Sequence, residues 1–198
     1  MDIRERIRAD LALSDSRREH TFGVVQAALA LAGAHFKELS PSDVETAALL
    51  HDFTKEYSVS QHEAVCRRYG DRLSEAEYAS PQLMHAHTAS LIASNVYHVS
   101  DEIAHAIRVH TTGCRAMSPL DIVIYLGDYI EPNRKGEYCC AVRDTYLNNG
   151  GAASDRALYL AMLESFDRTL SHLINIGAQI SEDSVSARNE IITALSAL

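Results

Sequence analysis

An adjacent histidine and aspartate, His51 and Asp52, end a segment whose apolar residues recur at helical spacing. Val44, Ala47 and Ala48 precede His51 in the pattern i, i+3, i+4, i+7, which places its imidazole on the inward face of a helix. A carboxylate beside an imidazole at the edge of a core is costly unless a partner neutralises it. A divalent metal ion would do so, and the pair therefore predicts a metal site.

The remaining ligands of such a site must come from other inward-facing positions. Four residues end or begin apolar faces of other predicted helices: His20, His85, His110 and Asp128. Any one of these histidines could equally be a core residue bonded to a backbone carbonyl, but a buried aspartate requires a cationic or metallic partner. Imidazole and carboxylate without thiolate favour iron, manganese, cobalt, nickel or zinc. We expect a divalent transition metal, one or two ions, with iron first among these elements.

The elements that must position these residues are helices. Helix starts are indicated by capping sequences at residues 40–43, 58–61, 100–102 and 118–121. Helix ends are indicated by glycines at positions 70, 113, 150, 151 and 177. These signals predict an all-α bundle of eight or nine helices, the longest at about 15–34 and 153–176. We expect one domain over 1–198, with a core at about 15–135 and C-terminal helices at about 137–198.

Composition excludes several classes of function. The chain has 198 residues, 46% of them hydrophobic, and a net charge of -9 without a dense basic run, so we expect no nucleic-acid partner. Residues 1–6 lack the apolar core of a signal peptide, and no apolar run is long enough to span a bilayer. The four cysteines form no Cys-x-x-Cys pair and are interpreted as reduced, buried residues. These features predict a cytoplasmic protein without a membrane partner.

Several segments, taken in order, resemble the HD-domain metal-dependent phosphohydrolases. They are residues 18–24 (REHTFGV), 48–55 (ALLHDFTK), 106–113 (AIRVHTTG), 125–134 (YLGDYIEPNR) and 186–189 (SARN). Within that family the chain is most similar to the YqeK-like symmetrical diadenosine tetraphosphate hydrolases, over about positions 15 to 190. The resemblance implies a helical HD-type fold and cleavage of diadenosine tetraphosphate to two ADP. The partner would be a small dinucleoside polyphosphate, and a homodimer is one assembly that we consider.

The resemblance also assigns metal-binding roles. The first metal would be held by His20, His51, Asp52 and Asp128. His85 and His110 would either hold a second metal together with a bridging Asp52 or contact phosphate oxygens directly. Both alternatives fit a polyphosphate site.

Other residues are expected to act on the substrate. Asp52 and Lys55 would be catalytic, because a lysine one turn past the His-Asp pair can neutralise phosphate charge in the transition state. Arg134 would clamp a phosphate with its planar fork, and the hydroxyl of Thr111 would bind a phosphate oxygen. The alternative for Lys55 and Arg134 is solvated surface charge, and Arg18 and Arg108 are further candidate cations.

Some residues depart from the family pattern. Ala86 and Asn133 stand where the family commonly has glycine, which could change how the substrate sits. Lys55 and Glu56 stand where relatives that hydrolyse guanosine tetraphosphate have a Glu-Asp pair, which argues against that activity. Two alternatives stay open: another nucleotide phosphohydrolase, either a nucleotide phosphatase or a cyclic-dinucleotide phosphodiesterase, and a non-catalytic nucleotide-binding sensor.

The other histidines are expected to be ordinary. His35, His62, His98, His105 and His172 fit exposed or packing positions. His87 is two residues from His85 and therefore points to another side of its helix, where we expect it behind the ligands or in solvent.

Overall fold

The computed structural model describes residues 2–198, apart from the side chain of Pro81. Met1, which begins the segment predicted to lack a signal peptide, lies outside the described residues. Within this part of the chain there are eleven α-helices, one short 3-10 turn at Gly151–Ala153, and no strand. The helices are α1 (Ile3–Asp10), α2 (Asp15–His35), α3 (Pro41–Leu50), α4 (Val59–Arg68), α5 (Glu75–Ala79), α6 (Pro81–Val96), α7 (Asp101–Val109), α8 (Pro119–Ile130), α9 (Glu137–Asn148), α10 (Asp155–Asn175) and α11 (Glu182–Ala197).

The predicted all-α fold is confirmed, and so are several of its helix boundaries. Ser58 and Ser118 each form a capping box at the start of α4 and α8. Gly113 and Gly177 adopt positive φ values of 63° and 65° just after α7 and α10, in the left-handed region that favours glycine. The two longest helices, α2 and α10, are those predicted. The helix number was underestimated, because α5 has five residues and is too short for a periodic pattern.

Packing around α2 brings the predicted ligands together. This helix packs most extensively against α3 and α8, while α6 packs against α7, and α10 packs against α9 and α11. A Cβ atom at Gly127 would lie 3.2 Å from the backbone nitrogen of Ala28, so glycine permits the close approach of α8 to α2. The largest fully buried side chains of this core include Leu49, Ile107 and Phe166. None of the helices in residues 2–198 combines the length and apolar character needed to cross a membrane.

Candidate metal centre

Four of the predicted ligands converge from three helices. His20 lies in α2, Asp128 lies in α8, and His51 and Asp52 directly follow α3. The Nε2 atom of His20 lies 3.0 Å from Oδ1 of Asp128 and 3.7 Å from Oδ2 of Asp52. The Nε2 atom of His51 lies 3.8 Å from each of the same two oxygens. Donor atoms with these separations can surround one ion at bond lengths of about 2.0–2.2 Å.

The second carboxylate oxygen of Asp52 faces the other two predicted histidines. Its Oδ1 atom lies 3.0 Å from Nε2 of His85, near the start of α6, and 3.7 Å from Nε2 of His110, directly after α7. The Nε2 atoms of His85 and His110 are 3.1 Å apart. Asp52 therefore lies between two sets of donor atoms and has the position of a bridging carboxylate.

The orientation of the imidazole rings is set by their other nitrogen. Nδ1 of His51 donates to the carbonyl of Ala48, and Nδ1 of His110 donates to the carbonyl of Ile107, each at 2.7 Å. Both bonds run to a carbonyl three residues earlier, which the end of a helix leaves without an intrahelical partner. A proton on Nδ1 leaves the lone pair of Nε2 directed into the cluster, as metal coordination requires.

His20 is oriented by a carboxylate that sequence reasoning missed. Its Nδ1 atom lies 3.1 Å from Oε1 of Glu131, which is 1% exposed. The other oxygen of Glu131 accepts the backbone N–H of Asn133 at 2.7 Å. A Cβ atom at Gly23 would overlap the Glu131 carboxylate, so the glycine makes room for it. The available signal was the position of Glu131, three residues after Asp128 and one turn along the chain.

Burial and neighbouring charges set the protonation states of these ligands. Burial lowers the pKa of His51 to about 4, and burial likewise lowers the pKa of His85 to about 4 despite the Asp52 carboxylate beside it. Burial alone would raise the pKa of Asp52, but attraction to His51 and the close approach of His110, His85 and Lys55 outweigh it and hold that pKa well below its usual value. At neutral pH His51 and His85 are therefore neutral and Asp52 is ionised, the forms that bind metals. Burial lowers the pKa of His20, but its contacts with Asp128 and Glu131 outweigh burial and raise that pKa, so a metal would displace a proton from this ring.

The predicted substrate cations lie against the two aspartates. Nζ of Lys55 is 3.2 Å from Oδ1 of Asp52 and also 3.2 Å from Nε2 of His85. Nη2 of Arg134 is 2.5 Å from Oδ1 of Asp128. Both side chains are mostly buried, which distinguishes them from solvated surface charges. The Thr111 hydroxyl is buried next to His110 and has no hydrogen-bond partner within the described residues.

The two further candidate cations, Arg18 and Arg108, bind groups other than the proposed metal ligands. Arg108 pairs with Glu77 at 2.8 Å, and Arg18 donates to the carbonyl of Leu11 at 3.3 Å. Arg17, in contrast, lies near the proposed ligands, with a guanidinium nitrogen 3.9 Å from Oδ2 of Asp52. Sequence reasoning did not identify Arg17, although it lies three residues before His20 and therefore on the same side of α2.

The polar atoms in the centre of the cluster fit a metal ion. The Nε2 atoms of His20 and His51 and both carboxylate oxygens of Asp52 are buried, and none has a partner with hydrogen-bond geometry in the described part of the chain. Buried polar atoms are almost always hydrogen-bonded, because leaving one unsatisfied costs about 1–3 kcal/mol. Three ligand atoms, one each from His20, His51 and Asp52, lie within 4.8 Å of one another, which is typical of a metal site.

His87 is buried. Of the two positions expected for it, behind the ligands or in solvent, the solvent position is wrong. As expected, it points away from His85, but its ring lies in a second cluster of charges. Nδ1 of His87 is 2.7 Å from Oε1 of Glu77, and Nε2 is 2.9 Å from Oδ2 of Asp71. Arg108 contacts the same oxygen of Glu77. We refer to Asp71, Glu77, His87 and Arg108 as the Glu77 cluster.

Comparisons with known proteins identify the family of this chain. A model of the HD domain matches residues 17–133. The chain is 30% identical to a symmetrical bis(5'-nucleosyl)-tetraphosphatase of Halalkalibacterium halodurans, with 91% of each chain covered. It is also 30% identical to the protein of that name in Bacillus subtilis, covering 91% of this chain and 92% of the relative. An HD superfamily hydrolase of Clostridium acetobutylicum, described as involved in NAD metabolism, superposes with a TM-score of 0.82 at 29% identity over 96% of this chain and 97% of that one.

Proposed function

Because this chain belongs to the HD domain family, we propose that it is a metal-dependent hydrolase that cleaves diadenosine tetraphosphate symmetrically into two molecules of ADP. One structural observation carries the proposal: the donor atoms of His20, His51 and Asp52 converge, buried and without hydrogen-bond partners. Relatives whose alignment covers about nine-tenths of this chain are named for this reaction. The divalent metal is supported by both the family and the cluster.

The charge of the site supports a polyphosphate substrate. Asp52 and Asp128 are balanced by the two cations that contact them, Lys55 and Arg134. The buried Glu131 and the half-buried Arg17 add one charge of each sign. A divalent ion therefore adds two positive charges that no protein group balances, and a highly charged anion such as a tetraphosphate would compensate them.

The side chains would divide the work of the reaction. When bound, a divalent metal lowers the pKa of a water molecule toward neutrality and neutralises phosphate oxygens. Lys55 lies beside both Asp52 and His85, where its ammonium group can stabilise charge that develops as the bridge between the two middle phosphates breaks. Arg134 and the Thr111 hydroxyl would hold phosphate oxygens, and Arg134 can do so while one of its nitrogens keeps Asp128 in place.

Asp52 belongs to two groups of potential metal ligands. Its two oxygens face different histidine pairs, so one carboxylate can link a metal at His20 and His51 to whatever His85 and His110 bind. We propose a second metal at His85 and His110, because their Nε2 atoms and Oδ1 of Asp52 form a group as compact as the first. We also propose iron as the metal, a homodimer as the assembly and the cytoplasm as the compartment.

Product analysis tests the proposed reaction. The protein, purified with its own metal, should convert diadenosine tetraphosphate to ADP alone, and in water enriched in oxygen-18 one of the two ADP molecules should carry the label on its terminal phosphate. Asp52→Asn is the matched control, because it keeps the size of the side chain and removes the bridging charge. ATP plus AMP as primary products would refute symmetrical cleavage. Tight nucleotide binding without turnover would instead identify a sensor.

A panel of substrates separates the proposal from other phosphohydrolases. Nucleoside monophosphates and cyclic dinucleotides should be cleaved at least about a hundredfold less efficiently than the tetraphosphate, because they cannot place four phosphates along the cations of the site. A higher catalytic efficiency on either class would replace the proposed substrate.

A further inference from the structure

Three potential metal ligands that are not part of the candidate metal centre converge between the middle of α7 and the start of α8. They are His105 in α7, Cys114 in the loop after it, and Asp121 in the first turn of α8. Their ligand atoms all lie within 4.8 Å of one another, and Nδ1 of His105 is 3.1 Å from Oδ1 of Asp121. We propose that these three residues bind a second type of metal ion, a thiophilic divalent cation such as Zn²⁺.

The ligand chemistry is that of zinc. Thiolate, imidazole and carboxylate bind Zn²⁺ at about 2.0–2.3 Å in tetrahedral geometry, and three protein ligands leave one position for water. The 3.1 Å separation of the His105 and Asp121 donor atoms suits adjacent corners of such a tetrahedron. The side chain of His105 is 51% exposed, so solvent can reach the fourth position. The candidate metal centre has no sulfur ligand, and the two sites therefore differ in the metals they prefer.

Cys114 provides the second observation that points to a ligand. It is only 9% exposed and forms no disulfide, and no hydrogen bond is among the interactions that act on its thiol within residues 2–198. The charged groups that act on this thiol are the carboxylates of Asp121, Asp183 and Glu190. Burial, together with these carboxylates, raises the pKa of Cys114 to about 11. Such surroundings oppose a free thiolate and attract a cation, which would displace the thiol proton on binding.

Asp121 is already fixed in the orientation that binding needs. Its Oδ2 atom accepts the backbone N–H of Ser118 at 2.8 Å, as part of the capping box that starts α8. That bond leaves Oδ1 directed at His105. A ligand held in this way loses little further conformational freedom when the ion binds.

An ion at this place would join two helices that carry catalytic candidates. His110 directly follows α7, and Asp128 lies in α8, so the proposed ion would connect the two helices that carry these residues. Binding at His105, Cys114 and Asp121 would clamp the loop from outside without contacting the substrate. We therefore expect this ion to raise thermal stability and to take no part in the reaction.

Cobalt spectroscopy can detect this site separately. Co²⁺ binds in place of zinc, and only a thiolate ligand produces the sulfur-to-cobalt charge-transfer absorption in the near ultraviolet. Chelator-treated protein titrated with Co²⁺ should develop this band, and excess Zn²⁺ should abolish it. The band should persist in Asp52→Asn, which alters the candidate metal centre, and in Cys66→Ser, which removes another buried thiol with carboxylates nearby. It should be absent from Cys114→Ser.

A second variant guards against misfolding of Cys114→Ser. His105→Gln changes a half-exposed side chain and should fold normally, as circular dichroism would verify. It should weaken the cobalt affinity, read from the same band, by at least about tenfold. Stoichiometric cobalt binding by the wild-type protein without a charge-transfer band would overturn the proposal. A band that survives Cys114→Ser, or an affinity unchanged by His105→Gln, would do the same.

Discussion

The candidate metal centre and the Glu77 cluster are both supported by α6 and α7, and each contains a buried histidine beside a buried carboxylate. His85 and His87 are two residues apart in α6, and Arg108 and His110 are two residues apart at the end of α7. The two clusters therefore share their supporting helices. They differ in what faces the ring nitrogens.

Each ring nitrogen of His87 has a carboxylate oxygen within 2.9 Å. In His51, by contrast, Nδ1 faces a backbone carbonyl, and Nε2 is 3.8 Å from the carboxylate oxygens of Asp52 and Asp128. Burial lowers the pKa of His87, but the hydrogen bonds with Glu77 and Asp71 outweigh it and the pKa is raised. Burial lowers the pKa of His51 to about 4. A charged histidine such as His87 joins an ion-pair network, and a neutral one such as His51 keeps a lone pair for a metal. His20 resembles His87 in this respect, because Asp128 and Glu131 lie within 3.1 Å of its two ring nitrogens and raise its pKa, and it would release a proton when a metal binds.

The largest expected effect separates the two clusters directly. Asp52→Asn should lose most of its bound metal and at least about 10³-fold in kcat/KM, because the bridging charge is removed. Asp71→Asn, the matched change in the Glu77 cluster, should retain both within about threefold, since Asp71 is exposed and is not among the candidate metal ligands. Elemental analysis and steady-state kinetics measure these outcomes. Full metal occupancy in folded Asp52→Asn would remove the distinction between the clusters.

The arginines of the two clusters provide the next comparison. Arg134→Ala should lower kcat/KM by about 10²-fold, because a preorganised cation for the phosphates is lost, and Arg134→Lys should recover only part of this, since a point charge cannot replace a planar fork. Metal content should stay near that of the wild type, because Arg134 is not a ligand.

Arg108→Ala is the matched control for Arg134→Ala. It should lower stability without changing kcat/KM, because Arg108 pairs with Glu77. Wild-type kcat/KM in Arg134→Ala would mean that Arg17, the other cation near Asp52, is the next candidate for the phosphate contact.

A smaller effect is expected from the residues that orient His20. Glu131→Gln should weaken metal affinity by about tenfold, because it removes the charge that holds the His20 ring. Gly23→Ala should have a similar effect, since the added Cβ displaces the same carboxylate. Metal competition with a chelator indicator measures both affinities. The contrasting variant is Glu77→Gln, whose metal affinity should be unchanged, and an equal loss there would show a general response to packing.

The smallest effect on function, and a clear one on stability, is expected from Glu77→Gln. Burial alone would raise the pKa of Glu77, but hydrogen bonds from His87 and Ser74 and the charge of Arg108 lower it to about 2. A lowered folded-state pKa contributes stability above the unfolded-state pKa of about 4.5, and that contribution is lost as the pH falls toward 2. We expect the variant to be less stable by about 1–3 kcal/mol at pH 7.

Urea unfolding over a pH series tests the sign of this linkage. The difference between wild type and Glu77→Gln should shrink as the pH falls through the window from about 4.5 to 2. A difference that grows over this window would mean that Glu77 is not held ionised by its neighbours.

The sequence alone predicted the helical fold, several helix boundaries and the inward position of the candidate metal ligands. The capping residues Ser58 and Ser118 and the stop at Gly113 are local signals, and the structure confirms the boundaries that they predict. The inward position of His51 and of Asp128 also followed from the 3.6-residue period. Local signals suffice here because caps and periodicity depend on residues within about one or two turns.

Only the tertiary structure decided which buried histidines can bind a metal. The sequence pattern alone does not show which groups face His85 and His87. In the folded chain, α5 and the segment before it place carboxylate oxygens of Glu77 and Asp71 within 2.9 Å of the two ring nitrogens of His87. Glu131 reaches His20 across 111 positions of the chain. The charge of an imidazole depends on contacts of a few ångströms and on removal of water, and these are fixed when helices pack against one another.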